Sequence, residues 1–254
     1  MRIYPISLNT FRETVRDRVL YNLLIFALLM IGSTVYLATL TIADHLKIIK
    51  DFGLAAISLF SVLIAIFVGI GLVYKEVDKR TIYTVLSKPI KRYEFILGKY
   101  LGLLLTLLVN LAIMAAGLVL ILLFFGNIFT GSFFVALYFI YLELMLLTSL
   151  TIFFSSFTTP MLSALFTLGL FVIGHLSADL KFLAMKSESL MVKYIAQFIY
   201  YFLPNLDNFN IRGPVVYGLP VGPERVLAVT AYGFLYLGVL LVLATIIFQR
   251  KDFK

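Results

Sequence analysis

Residues Tyr100–Gly126 read YLGLLLTLLVNLAIMAAGLVLILLFFG, a continuous apolar stretch without a charged residue. A helix needs about 20 such residues to cross the hydrocarbon core of a bilayer. The stretch does not alternate between apolar and polar residues, as a strand of a membrane barrel would. Because unpaired backbone groups are costly in lipid, the stretch predicts a membrane-spanning α-helix.

Five further stretches have the same character, and together they predict an all-α integral membrane protein with six transmembrane helices. They are Val19–Ala43, Phe52–Tyr74, Ser132–Ser156, Pro160–Ala178 and Val226–Phe248. The composition agrees, since 62% of the 254 residues are hydrophobic and only 13% are charged. A soluble domain could not bury so much apolar surface. We therefore expect residues 1–254 to form a single transmembrane domain.

The distribution of Lys and Arg predicts that both ends of the chain face the cytoplasm, because basic residues favour that side. In this orientation the segments 1–18, 75–99, 157–159 and 249–254 are cytoplasmic, and they carry fourteen basic residues. The opposite side carries seven, five of them in the long loop 179–225. Long loops contribute little to orientation. The net charge of +8 thus indicates membrane orientation and not a nucleic-acid partner.

The N-terminal segment 1–18 predicts an amphipathic helix in the membrane interface. Leu8, Phe11, Val15 and Val19 recur at spacings of three and four residues, which places them on one helical face. A proline near the start and many charges favour a bent interfacial helix over a simple extension of the first span.

The segment 75–99 joins the second and third spans and reads KEVDKRTIYTVLSKPIKRYEFILGK. Ile82, Val85 and Leu86 fall on one face of a short helix, which Pro89 ends. A second helix begins shortly after and continues into the third span. A connection of this length and charge is either a solvated loop that sets orientation or a docking surface for a cytoplasmic partner.

This segment resembles the permeases, or membrane subunits, of ABC transporters of the second, exporter-like type. The resemblance lies in an acidic residue, Thr-Ile, two apolar residues, Ser-x-Pro-Ile and a basic residue, followed by Phe-Ile-Leu-Gly-Lys. The order of spans and the short basic tail after Phe248 are also similar. The family includes permeases of drug, polysaccharide and sodium export and of nitrous-oxide-reductase maturation.

The resemblance implies that 75–99 is a cytoplasmic coupling hairpin that docks on an ATPase subunit, and that 1–18 is an elbow helix. The docking residues would be Glu76, Thr81, Ile82, Val85, Leu86, Pro89 and Arg92. A complete transporter in the cell's cytoplasmic (inner) membrane would contain two ATPase subunits and a second permease chain, identical or different. ATP and Mg²⁺ would bind the ATPase, since the sequence contains no phosphate-binding loop of the form G-x-x-x-x-G-K-[ST].

Glu143 is the one formal charge within the six predicted spans. An acidic residue there costs about 2.5–3.5 kcal/mol, so we expect it to be protonated, hydrogen-bonded across helices or facing a wet cavity. It is a candidate for a translocation path, together with Asn110 in the third span. The alternative is a structural hydrogen bond between these two side chains. We expect His175, near the outer end of the fifth span, to lie at the interface.

No catalytic or metal site is predicted in this chain. It contains no cysteine, and its two histidines are far apart in the sequence. An intramembrane enzyme would need a cluster of bases, nucleophiles or metal ligands. We therefore expect a non-catalytic membrane subunit without a cofactor of its own.

The loop 179–225 is too long for a simple connection. A stripe of apolar residues (Met191, Ile195, Phe198, Ile199, Phe202) predicts an amphipathic helix that either lies on the outer leaflet or dips partly into the membrane, and that ends before Pro204. The loop is either a lid over the helix ends or a contact for an extracytoplasmic partner. Two other functions stay open: a permease that transmits ATPase motion to such a partner, and a stand-alone secondary transporter that uses Glu143.

Overall fold

The computed structural model describes residues 3–40, 44–78, 91–126, 131–187 and 189–250, and the regular structure in these ranges is helical. In chain order the helices are α1 (Ile3–Val15), α2 (Arg18–Thr39), α3 (His45–Asp78), α4 (Arg92–Phe124), α5 (Gly131–Ser155), α6 (Pro160–Met185), α7 (Leu190–Phe202), α8 (Arg212–Val216) and α9 (Pro223–Arg250). A short 3₁₀ helix, Leu206–Phe209, lies between α7 and α8.

Six of these helices, α2, α3, α4, α5, α6 and α9, are long and apolar enough to cross a membrane. They coincide in order with the six predicted stretches, which confirms the prediction of six spans. Two boundaries were wrong by seven residues each: α6 continues to Met185 instead of ending at Ala178, and α3 begins at His45, so residues 45–51 form its first turns and not a loop. The backbone carbonyl of Asp44 accepts the N–H of Lys47, and Ile49 is fully buried, so the apolar pattern already starts here.

α1 and α2 are separate helices. The carboxylate of Asp17 accepts a hydrogen bond from the N–H of Val19 at 2.9 Å and so caps the start of α2. Val19, which the predicted stripe assigned to the first helix, therefore belongs to α2 and is exposed. The residues of α1 that are buried are the small polar ones, Ser7, Thr10 and Thr14. This face of α1 packs along α4.

The centre of the bundle is formed by α3 and α5, and 67% of the residues in the most apolar stretch of each helix are buried. α5 contacts α3, α4, α6 and α9. Leu144, Leu146 and Leu147 point in different directions around α5, and all three are fully buried. A helix that is apolar on all sides is expected to be surrounded in this way. α2, α6 and α9 lie outside and expose most of their apolar side chains.

Between α7 and α9 the chain turns back into the bundle as residues 203–222, called here the returning segment. Leu206, Phe209 and Ile211 are almost completely buried, and the segment packs against α3, α5 and α6. Its backbone is held from both sides. The hydroxyl of Ser132 donates to the carbonyl of Leu219 at 2.8 Å, and the N–H of Asn205 donates to the hydroxyl of Tyr232 in α9 at 2.7 Å. A stretch without regular pattern is thus part of the protein core.

α7 lies on the surface of the bundle, beside α6. It occupies the stretch in which the sequence predicted an amphipathic helix, and Ala196 is its buried residue. The ammonium group of Lys181 in α6 lies 3.8 Å from the ring centroid of Tyr200, a cation–π contact that holds the two helices together. The large apolar residues of α7, including Met191 and Phe198, are exposed. An exposed apolar face of this kind is suited to contact with lipid.

Candidate functional site

Most of the predicted docking residues lie outside the described part of the chain. These are Thr81, Ile82, Val85, Leu86 and Pro89, together with the side chain of Glu76, whose backbone belongs to the last turns of α3. Arg92 is the docking residue that the structure does describe, and it begins α4. The docking surface itself therefore stays a prediction, and the structure shows what the hairpin is attached to.

Arg92 joins the start of α4 to the end of α9. Its Nη1 atom donates hydrogen bonds to the carbonyl oxygens of Phe248 at 2.9 Å and Gln249 at 2.8 Å. Carbonyl groups in the last turn of a helix lack partners within the helix, and the helix dipole favours a cation there. The ring of Phe95 also stacks on the ring of Phe248, with centroids 5.9 Å apart. The third and sixth spans are therefore tied together beside the hairpin.

α1 and α4 approach each other through two glycines of α4. A Cβ atom on Gly102 would lie 2.5 Å from the Cβ of Thr10 and 2.6 Å from the backbone oxygen of Ser7. A Cβ atom on Gly98 would lie 2.6 Å from Ile6. Glycines at a spacing of four residues are a common means of close helix packing in membrane proteins. No larger residue fits at these positions unless α1 moves away.

A buried charge completes this region. The side chain of Lys99 is almost completely buried, and its ammonium nitrogen lies 3.6 Å from the Glu13 carboxylate on α1. A buried ammonium group needs such a partner, because its transfer out of water is costly. We call the region formed by α1, the start of α4 and the end of α9 the hairpin end. At this end α4, which continues the hairpin's second helix, contacts both α9 and α1, and α1 leads into α2.

Glu143 lies far from this region, in the middle of α5, and is only 3% exposed. It faces a small cavity between α3, α5, α6 and the returning segment, with a volume of about 20 Å³. A cavity of this size has room for about one water molecule. The polar side chains around it are Ser58, Glu143, His175, Asn210 and Arg212. We call this group the polar cavity.

His175 is the nearest basic partner of Glu143. Its Nε2 atom lies 3.5 Å from Oε1 of Glu143, and its Nδ1 atom lies 3.3 Å from the carbonyl oxygen of Phe171. A carbonyl oxygen only accepts, so Nδ1 must carry the proton of that bond. A neutral pair then needs one further proton, held either on the Glu143 carboxyl or on Nε2. The two side chains therefore lie close enough for electrostatic interaction, but Oε1 of Glu143 accepts no hydrogen bond within the part of the chain that the structure describes.

Two more charged residues of the returning segment surround this pair. Arg212 lies close enough to attract the Glu143 carboxylate electrostatically, and Asp207 is close enough to attract a charged His175. Arg212 is held by Asn210, whose Oδ1 atom accepts a hydrogen bond from its Nε at 3.2 Å. Because these charges have opposite signs, each offsets part of the cost of burying the others. Among the described residues no cluster of acidic and histidine side chains is placed to hold a metal ion.

Asn110 is buried in α4 but does not contact Glu143. Its amide nitrogen donates to the carbonyl of Thr106 in its own helix at 2.8 Å. Its Oδ1 atom accepts no hydrogen bond from the part of the chain that the structure describes. A hydrogen bond between Glu143 and Asn110 is therefore not formed, because Glu143 faces α6 and the returning segment instead. A common path lined by the two residues stays a prediction.

The sequence led us to expect His175 at the interface, and the structure places it beside Glu143 in the polar cavity. Glu143 lies about 18 Å before the end of α5, and His175 lies about 22 Å after the start of α6, at 1.5 Å per residue. Two antiparallel helices joined by a short turn bring such residues to the same depth. The similar spacing of the two residues from this turn could therefore be read from the sequence. No sequence pattern indicated Arg212, because it lies in a stretch without periodicity.

Comparison with models of protein families gives a match over nearly the whole chain. The family model described as ABC-2 family transporter protein matches residues 4–253. The match includes both the hairpin end and the polar cavity. No curated protein matches the chain.

Proposed function

Because the chain belongs to the family of ABC-2 transporter proteins, we propose that it is the permease subunit of an ATP-driven exporter in the cytoplasmic membrane. It is a multi-pass membrane protein with six apolar helices, and its family implies a partner ATPase. In this proposal two separate ATPase subunits bind ATP and Mg²⁺, and a second permease chain, identical or different, completes the transporter. The transported molecule is left open.

The observation that best supports this function is the packing at the hairpin end. The Arg92 side chain fixes α9, and the glycine contacts fix α1, both to the start of α4. α1 in turn leads directly into α2. A force on the hairpin would therefore reach the first, third and sixth spans (α2, α4 and α9) together. It would also reach the second span, α3, because the hairpin continues directly from the end of that helix. A membrane subunit driven by an ATPase needs such a rigid connection.

In the proposed cycle the hairpin is the coupling hairpin and α1 is the elbow helix. ATP binding closes the two ATPases, and the docked hairpins move with them. A path between the two permease chains then opens away from the cytoplasm. Glu143 would lie near the middle of the membrane, and the returning segment would cover it from the far side, toward which this path opens.

A second candidate function is favoured by the polar cavity. Oε1 of Glu143 and Nε2 of His175 lie 3.5 Å apart, and the cavity that both residues line has room for about one water molecule. A stand-alone transporter driven by protons or ions needs such a pair inside the membrane. The two candidate functions can be distinguished by experiment, because only the first requires an ATPase.

The deciding experiment is affinity purification of the protein from its native membranes in a mild detergent, followed by an ATPase assay. The permease function predicts recovery of a soluble ATPase in a stoichiometric amount. Leu86→Asp should abolish this recovery, because it places a charge on the apolar face of the hairpin. Leu190→Asp, the same change at an exposed residue of α7, serves as the matched control and should leave the recovery intact.

Either of two results would contradict the permease function. One is an intact protein that retains no ATPase under conditions that preserve known complexes of this class. The other is an ATPase that is retained equally by the Leu86→Asp and Leu190→Asp proteins. In the first case the next measurement is proton flux into vesicles that contain the Glu143→Gln protein.

A further inference from the structure

A large apolar gap separates α6 from α9. Both helices pack against α5, but within the described residues they have no extensive contact with each other. The gap between them has a volume of about 750 Å³. Its floor is α5 and its two walls are α6 and α9. Residues that line it include Leu150, Phe154, Phe166, Gly169, Val239 and Leu243.

The gap is closed at one end by residues 202–204. The hydroxyl of Tyr236 in α9 donates to the carbonyl of Phe202 at 3.3 Å. On the other wall, a Cβ atom on Gly174 in α6 would lie 2.8 Å from the backbone oxygen of Pro204. The chain therefore crosses from one wall to the other and forms a roof. The opposite end, toward the turn between α5 and α6, has no such cover among the described residues.

The lining is apolar, and it continues the faces of α6 and α9 that are exposed to the bilayer. Leu165 is 64% exposed and Val239 is 58% exposed at the mouth of the gap. The hydroxyl of Tyr236 is engaged with the roof. Water is not favoured in an apolar cavity, since it would lose its hydrogen bonds there. The medium next to the mouth is hydrocarbon, because α6 and α9 are membrane spans.

The shape of the gap decides what can fill it. Along α6 it extends from Leu165 to Ile173, which is about 12 Å at 1.5 Å per residue. A spanning helix of a second protein must cross about 30 Å of hydrocarbon, and the roof blocks its way. The hydrocarbon chain of a lipid occupies only one leaflet, about 15 Å, and ends in the middle of the membrane. It fits a pocket that is open at one end and closed at the other.

We infer that the gap between α6 and α9 is a binding site for one hydrocarbon chain of a membrane lipid. The chain enters from the leaflet on the side of the α5–α6 turn, and its end lies under residues 202–204. The volume lies within the range of about 300–1,000 Å³ that is usual for ligand pockets. The inference does not depend on the proposed transport function.

The test uses tryptophan fluorescence, because the chain contains no tryptophan. Phe166→Trp places one reporter in the gap, and Phe153→Trp is a second reporter there in case the first protein does not fold. Phe134→Trp places a reporter at an exposed position outside the gap. Each full-length protein is reconstituted in vesicles of phosphatidylcholine whose acyl chains carry bromine, which quenches nearby tryptophan. We expect quenching of all three reporters.

A second substitution then fills the gap. A side chain at Gly169 would point into open space within the gap, and a side chain at Gly238 would point into open space outside it. Gly169→Phe should remove most of the quenching of the gap reporter and leave that of Phe134→Trp unchanged. Gly238→Phe is the matched control and should change neither.

Two results would overturn the inference. If the gap reporters are not quenched while Phe134→Trp is, protein and not lipid fills the gap, for example a second copy of this chain. If the gap reporters are quenched equally with and without Gly169→Phe, the lipid only touches the outside of the bundle.

Discussion

At the hairpin end Lys99 lies beside Glu13 between two long helices, whereas in the polar cavity Glu143 lies beside His175 under a segment with little regular structure. The helices at the hairpin end are in direct backbone contact through Gly98 and Gly102. The polar cavity is covered by a 3₁₀ helix and by the short helix α8. Both regions thus bury charge inside a membrane protein, but they surround it with different kinds of structure.

This difference indicates which region moves. Long helices packed without a gap have no alternative arrangement close in energy, so they transmit displacement as rigid bodies. Short irregular segments have few backbone hydrogen bonds of their own and open at a lower free energy than the helices around them. We therefore expect the hairpin end to act as a rigid connection and the returning segment to open. The following substitutions test this contrast.

The largest effect is expected for Gly102→Leu at the hairpin end. Even a Cβ atom would overlap Thr10 and the backbone of Ser7, so α1 must separate from α4. Overpacking of this kind costs about 3 kcal/mol or more where the backbone cannot yield. Thermal unfolding in detergent micelles and the rate of tryptic cleavage at Arg12 measure it, and both should show a less stable α1.

Gly238→Leu is the matched control for this substitution, since a Cβ atom there meets nothing within 4 Å. It should leave the unfolding temperature and the cleavage at Arg12 close to those of the native protein. Equal behaviour of the two variants would mean that the hairpin end is not rigid, and the contrast between the two regions would be lost.

The next effect is expected for Glu143→Leu in the polar cavity. It removes the carboxylate that attracts Arg212 and leaves Asp207 as the acidic group that acts on His175. We expect a cost of about 2 kcal/mol, below that for a fully buried pair, because Arg212 is only half-buried. The cost should appear in the returning segment, as amide hydrogen exchange of residues 206–216 that is about 30-fold faster. Exchange in α1 should not change.

Glu143→Gln keeps the size and the polarity of the side chain and should have a smaller effect. The double variant Glu143→Leu with Arg212→Leu should recover part of the loss, because no cation is then left uncompensated. If exchange in 206–216 is the same in all these proteins, the charges do not hold the returning segment, and its opening must be controlled by packing alone.

Packing is tested separately by Gly174→Ala, since Gly174 touches the returning segment from α6. The added Cβ atom would lie 2.8 Å from the backbone oxygen of Pro204, and a backbone cannot turn aside as a side chain can. We expect a cost of about 1–2 kcal/mol, seen as faster exchange of residues 204–210. Gly169→Ala, on the same helix but facing open space, should be neutral or stabilise α6 by up to about 1 kcal/mol.

The two regions also differ in how far the sequence predicted them. The six spans followed from hydropathy, because the bilayer makes the same demand on every spanning helix. The start of α4 near Arg92 followed from Pro89 and the change of pattern. The sequence did not predict the face by which α1 packs, since its apolar stripe suggested Leu8 and Phe11 while Ser7 and Thr10 are the buried residues.

Contacts between distant parts of the chain account for the rest. His175 and Glu143 lie at similar distances from the turn between α5 and α6, so their proximity could have been predicted from the helix lengths alone. The position of Arg212 could not, because it depends on how residues 203–222 fold back between three helices. The bond from Arg92 to α9 joins residues 156 positions apart, and no local pattern indicates such a partner.

The smallest effect is expected for Arg92→Ala, and it measures how far the hairpin end depends on a single polar contact. The substitution removes two hydrogen bonds to the last carbonyl groups of α9, worth about 1 kcal/mol for a cation at a helix end. The glycine contacts and the stacking of Phe95 on Phe248 remain, so exchange should rise about 5-fold in the last turn of α9 and not in α1.

Arg92→Lys keeps the charge but not the forked hydrogen-bond donor, so its rise in exchange should lie between those of the native protein and Arg92→Ala. Lys91→Ala, at the exposed neighbouring residue, is the control. A loss that spreads from α9 to α1 would show that Arg92, and not helix packing, holds the three spans together.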